Sequence, residues 1–151
     1  QKYLKKSFSY CFKNNSPEYP ATLKINSIKK DLYFKDGKNK IHIRSLKVKH
    51  GKVNCICYIV NKKLAYISDV SHIDKKDFKI LKNLRYLIID CLWYREHPSH
   101  LNLDKSLRLI NTLLPKKAIL TNLHSDLDYN KLKSKLKKNI VPAYDGMRIN
   151  L

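Results

Sequence analysis

A chain of 151 residues with 32 lysines and arginines against 12 aspartates and glutamates, net charge +20, is long enough for one domain with a sizeable core and too short for two full ones. No run approaches the ~18 apolar residues of a membrane span and no basic-then-apolar leader opens the sequence, so a membrane partner is excluded and a soluble, cytoplasmic protein is expected. Cys11, Cys55, Cys57 and Cys91 lack paired zinc-knuckle spacing; they read as free, buried thiols, with Cys55 and Cys57 at i,i+2 on one face of a strand.

The chain opens on Gln1 and runs at once into Tyr3, Leu4, Phe8, Tyr10 and Phe12, large apolar side chains that suggest a chain entered in its middle. Residues 3 to 12 suit a short helix or an extended aromatic arm, and Asn14, Asn15, Ser16, Pro17 and Pro20 mark a loop. From Leu23 the pattern turns to strands: Leu23, Ile25 and Ile28, then Leu32 to Phe34, a turn at Asp36-Gly37, and Ile41, Ile43, Leu46 and Val48 up to His50-Gly51. Val53 to Val60 and Leu64 to Ile67 continue them, joined by the polar turn Asn61 to Lys63. An antiparallel meander results.

The texture then changes to alternating helix and strand. Asp74 to Leu84 carries Phe78, Leu81 and Leu84 at helical spacing, Tyr86 to Asp90 is a short buried strand, and Leu103 to Leu114 puts Leu103, Leu107, Ile110 and Leu114 on one stripe with Asn102 as N-cap. Ala118 to Thr121 is the next strand, Leu127, Leu132 and Leu136 mark a helix, and Ile140 to Val141 and Met147 to Ile149 make two final strands. A meander followed by βαβα units predicts a single α/β domain of layered, α+β character.

Polar residues gather just after or within the strand ends: His50, Asp69, Asp90 and His124. Strand ends in α/β sheets are where loops converge on one edge, and imidazole and carboxylate are what a hydrolytic zinc or manganese site needs. The spacings are long, and each residue also has a plain reading. His50 before Gly51 fits a turn with a positive-φ glycine, Asp69 fits an Asx-turn or helix entry, and His42 and His72 read as surface or structural. His97 and His100 lie in the proline-stiffened loop Glu96-His97-Pro98-Ser99-His100, directly after a buried strand. There a histidine can contact a phosphate or move a proton near pH 7, or simply cap a solvated loop.

The runs LAYISDVSHI, LIIDCLWYREHPSHLNLDKSL, AILTNLHSDLDY and VPAYDGMRI, in that order, resemble the C-terminal region of metallo-β-lactamase-fold hydrolases, in the branch containing phosphoribosyl cyclic phosphodiesterase. The resemblance begins near YLKKSFSYCF and reaches the C-terminus. It implies a partial αββα sandwich, with two divalent ions, zinc or manganese, between the sheets of the complete enzyme. It also implies His50 as a metal ligand, Asp69 as the carboxylate bridging two metals, and His100 as the histidine near the scissile phosphate. Relatives carry Thr-His at the last ligand position, where this chain has Thr121-Asn122, so His124 is the expected replacement. The family's His-x-His-x-Asp-His segment lies N-terminal to all of this and occurs nowhere in the sequence. That predicts a partial site, no activity for this chain alone, and an uncovered apolar sheet surface or unpaired edge.

The resulting expectation is a metal-dependent phosphodiesterase acting on a small cyclic phosphate through metal-activated water. Two alternatives stand beside it: a non-catalytic basic module holding RNA or another polyanion, and a ribonuclease Z-like RNA-processing nuclease. Charge favours these only weakly. The arginines are Arg44, Arg85, Arg95, Arg108 and Arg148, and the remaining basic residues are lysines spread along the chain, whereas nucleic-acid surfaces cluster charge and use arginine forks. Nucleic acid is therefore the lesser partner, and a homodimer is left open as the assembly.

Overall fold

The computed structural model describes residues 1–14, 17–28 and 30–151. Asn15 and Ser16 of the expected loop lie outside the described residues. One seven-stranded sheet runs in simple sequence order, β1 (Asp31–Asp36), β2 (Asn39–His50), β3 (Val53–Val60), β4 (Leu64–Ile67), β5 (Tyr86–Asp90), β6 (Lys117–Thr121) and β7 (Ile140–Pro142). Strands β1 to β4 pair antiparallel and β4 to β7 parallel. The meander and the βαβα half are thus both present, in one mixed sheet.

Turn chemistry sets the first half. Asn61 and Lys62 both take positive φ, 51° and 53°, the conformation of a two-residue turn whose twist matches the flanking strands. In the second half, α2 (Phe78–Leu81), α3 (Leu103–Leu113) and α4 (Tyr129–Lys135) supply the crossovers. Leu46 and Val48 of β2 lie opposite Cys57 and Cys55 of β3, so the Cys55/Cys57 pair does share one face. That face continues through Ile59, Ala65, Ile67, Leu87, Ile89, Ala118 and Leu120 and is covered by Leu81, Ile110, Leu113 and Leu132 of the helices; together they form one core cluster. The chain contributes one β layer and one α layer, the partial sandwich expected. All four cysteines are free, with Cys57 and Cys91 buried and Cys11 and Cys55 only partly so.

On the opposite face Ser45, Lys47 and Lys49 lie across from Tyr58, Ile56 and Asn54. Ile56 and Tyr66 there are 45% and 42% exposed, which is the uncovered apolar surface expected. Three expected elements differ. Residues 21–28 form no strand, which leaves β1 as an edge of the sheet among the described residues, and Leu23 and Ile28 stay exposed; an apolar pattern alone does not pair a segment. The helix expected over Asp74 to Leu84 shrinks to a 3-10 turn, Lys75–Asp77, and the four residues of α2. It stops where Lys82 turns extended and Asn83 takes a φ of 57°. Met147 to Ile149 form no strand. At the start, α1 (Lys2–Ser7) is a short helix with no buried residue, and no helix among the described residues is long and apolar enough to cross a membrane.

Candidate metal centre

The parallel run of β4, β5 and β6 brings their carboxyl ends to one edge, and β2, antiparallel to β3, ends there too. Asp69, Asp90 and Asn122 therefore emerge beside His50, at the edge where α/β sheets gather ligands. Two interactions hold the end of β2 against the loop after β4. The Lys49 carbonyl accepts from the Ser71 amide at 2.7 Å, and the Gly51 amide donates to Ser71 Oγ at 2.9 Å. Gly51 has a φ of +60°, and a Cβ there would meet Ser99 Oγ at 2.8 Å. Glycine at this position thus serves both the turn, as expected, and the close approach of the loop that carries His100.

One potential ligand atom from each of His50, Asp69 and His100 lies within 4.8 Å of the other two, the one such histidine–carboxylate group among the described residues. His50 Nε2 is 3.1 Å from His100 Nε2. The far nitrogen, His100 Nδ1, is 2.8 Å from Asp90 Oδ2. A carboxylate only accepts, so Nδ1 carries the hydrogen and the neutral ring presents its lone pair at Nε2, toward His50. The His50 imidazole and the Asp69 carboxylate are donors of the kind a divalent ion takes, and His100 Nε2 stands beside them.

Asp90 is fully buried. Its Oδ2 accepts from the Val70 amide, the Leu101 amide and His100, and its Oδ1 from Asn122 Nδ2 at 3.0 Å. A buried carboxylate is tolerable only with such donors. Asn122 also reaches Asp69 Oδ1 at 3.5 Å, so Asp90 and Asn122 tie both sides of the group together. Asp69 and Asn122 both sit in the left-handed region, with φ of 49° and 62°.

His124 is not brought into this group. Its ring lies 4.6 Å from that of Trp93, and its Nδ1 accepts from the Asp126 amide. The strand ends at Thr121, and the left-handed Asn122 turns its own side chain to the site while His124, two residues on, points into the neighbouring loop. His97 stays beside His100, ring centroids 5.2 Å apart. His42 instead bonds Asp31 at 2.7 Å and stacks on Tyr33, and His72 is largely exposed near Asp74, both in keeping with structural or surface roles. The part of the site that sequence reasoning missed is the work of Asp90. Its signal was a lone charge closing the apolar run Tyr86 to Ile89.

A mixed sheet backed by helices on one face, with histidine and carboxylate converging at its carboxyl edge, is the architecture of the metallo-β-lactamase fold. The family described as "Beta-lactamase superfamily domain" matches residues 1–122, and the chain belongs to it. An octanoyltransferase of Porphyromonas gingivalis (strain ATCC BAA-308 / W83) is 29% identical over 143 residues, 91% of this chain but 28% of that protein. Among solved structures, a diphosphatase of the PhnP family superposes with a TM-score of 0.80 at 24% identity, covering 97% of this chain and 52% of that one. The metallo-beta-lactamase fold protein YhfI from Bacillus subtilis gives 0.62 at 19%, over 80% and 53%. The short form of human tRNase Z gives 0.58 at 13%, over 80% and 46%. The chain spans about half the length of these structures. Divalent metal use follows from the family, and the His50–Asp69–His100 group is where this chain offers donors for it.

Proposed function

We propose that this chain forms part of a phosphodiesterase in which His50 and Asp69 help to hold zinc or manganese and His100 moves a proton at the scissile phosphate. The convergence of the three side chains, with His100 Nε2 facing His50 and Nδ1 fixed on buried Asp90, carries the reading. Bound divalent ions would polarise a phosphoryl oxygen and provide hydroxide at neutral pH. Asp90 holds the His100 ring in one orientation and one tautomer. Neutral Nε2 then accepts a proton from water, and once protonated it donates to the leaving oxygen. Asn122, bonded to both carboxylates, keeps Asp69 facing the same space. His124 is not among the ligands proposed.

A phosphate ester as substrate is supported by the net charge of +20, since such a field draws anions to the surface. It is supported also by the names of two structural neighbours, a diphosphatase and a tRNase Z. A small cyclic phosphodiester remains the substrate we favour. The test is hydrolysis of bis(p-nitrophenyl) phosphate by the complete enzyme that contains this chain, with added Mn²⁺ or Zn²⁺. Activity should vanish with chelator, and Asp69→Asn should lower it by at least about 100-fold, beyond the 10–100-fold usual for partners outside the ligand shell. Full activity in chelator, or in His50→Ala, would sink the assignment.

A further inference from the structure

The hairpin of β1 and β2 reaches past the end of β3: residues 39–42 pair with β1 alone, since β3 meets β2 only from Ile43 onward. On one face of this hairpin Asp31, Tyr33 and Lys35 lie opposite Arg44, His42 and Lys40. Arg44 also lies across from buried Ile59, so this is the helix side of the sheet, away from the open face. His42 Nε2 donates to Asp31 Oδ1 at 2.7 Å, and Arg44 Nε donates to the same oxygen at 2.9 Å. The imidazole is thereby fixed, and Tyr33 stacks on it with centroids 4.7 Å and planes 19° apart. His42 is 18% exposed beneath a Tyr33 that is 76% exposed, which leaves the outer face of the tyrosine ring to solvent. Lys35 and Lys40 are exposed directly opposite each other, an arrangement of like charges that costs stability. Asp31, the one acid on this face among the described residues, is already engaged by His42 and Arg44.

We infer that this hairpin face docks single-stranded nucleic acid, with a base stacking on Tyr33 and the neighbouring phosphates meeting Lys35 and Lys40. His42 and His50 stand eight residues apart on β2, about 26 Å at the ~3.3 Å rise of a strand residue, so the site is separate from the metal centre and independent of the chemistry proposed there. Every base offers a flat π-face, and a ring already backed on one side has little freedom left to lose when the other is covered. Lysine is a point charge rather than a fork, and the arginine of this face is spent on Asp31, so binding is expected without sequence preference. An acidic peptide would meet the lysines but leave the tyrosine ring unused. A second copy of the chain is opposed by the net charge of +20.

Fluorescence anisotropy of the complete protein that contains this chain, with a labelled single strand of eight thymidines and an abasic strand of the same length, separates stacking from charge. In chelator, so that neither strand is cleaved, the wild type should bind the thymidine strand about fivefold to a hundredfold more tightly. Tyr33→Ala should remove that difference while leaving the affinity for the abasic strand unchanged, which shows the fold intact, and Tyr33→Phe should preserve it. Lys35→Gln/Lys40→Gln should weaken both strands and reduce the slope of log affinity against log salt by about 1.4, the value for two phosphate contacts on a single strand. Lys137→Gln/Lys138→Gln, an equal change of charge at exposed positions elsewhere, should change it less. Equal affinity for the two strands in the wild type, a difference that survives Tyr33→Ala or is lost in Tyr33→Phe, or a slope change as large in the control pair each overturns the site. Displacement of the thymidine strand by polyglutamate as readily as by unlabelled thymidine strand would mean an acidic protein partner instead, and overturns it too.

Discussion

Asp90 accepts from four neighbours, and two of them, His100 and Asn122, face the metal centre. Replacing it with asparagine puts an N–H group among donors that need an acceptor, and frees the tautomer of His100. Asp90→Asn should therefore lower phosphodiester turnover by about 10–100-fold; unchanged turnover would make Asp90 merely structural. Gly51→Ala combines a positive φ with a Cβ 2.8 Å from Ser99 Oγ, so a loss of about 1–3 kcal/mol in urea unfolding is expected. Ser99→Ala in the same chain should recover part of it. The thiols provide a pH test. Burial, with Cys55, Asp69 and Asp90 adding to it, pushes Cys57 up to about 12, and burial with Asp90 does the same for Cys91. An unfolded thiol releases its proton near pH 8.5, so the stability these groups contribute is complete below that pH and falls as pH rises toward 12, by about 1.4 kcal/mol per pH unit for each. The urea midpoint should drop between pH 8.5 and 10.5, and less steeply in Cys91→Ala.

The elements that were legible are those where burial and local chemistry agree. The strands β3 to β6 alternate or run apolar between clear turns, and α3 has its apolar stripe together with Asn102, whose Oδ1 accepts from the Lys105 amide at 3.0 Å. Where only an apolar pattern was present, as at residues 23–28 or Met147 to Ile149, the segments do not join the sheet, because pairing is not written in a single segment. The site divides in the same way. His50, Asp69 and His100 were named through resemblance, because spacings this long form no local motif. His124 was expected in place of Asn122 because the direction of a side chain after a strand depends on one left-handed residue, which a sequence does not display. Asn102 joins element to site: its Nδ2 bonds the Tyr94 carbonyl, and Ser106 Oγ bonds both the Asn102 and Asp90 carbonyls. Asn102→Ala should cost about 1–2 kcal/mol in chemical denaturation, at the upper end for an N-cap, because the Tyr94 contact is lost with it. Asn102→Asp should restore most of the cap.

At the scale of the molecule, charge and the open sheet face act together. The 32 basic residues outnumber the 12 acidic ones, and exposed ion pairs such as Lys76–Asp74 and Lys105–Glu96 are each worth little in water. Self-repulsion is then the dominant long-range electrostatic effect on the fold, and it destabilises the compact state. Raising sodium chloride from 0.1 to 1 M shortens the screening length from about 10 to about 3 Å. That removes repulsion between lysines several residues apart while leaving the buried Asp90 network largely untouched. The urea midpoint should therefore rise with salt; a fold that relied on its surface pairs would lose stability over the same range. The same repulsion acts between copies at the uncovered face, where Lys47 and Lys49 stand among the exposed Ile56 and Tyr66. Salt should then have a second effect that Ile56→Lys suppresses: self-association seen by light scattering. A midpoint that rises while scattering stays flat would show that the lysines are not what holds that face apart.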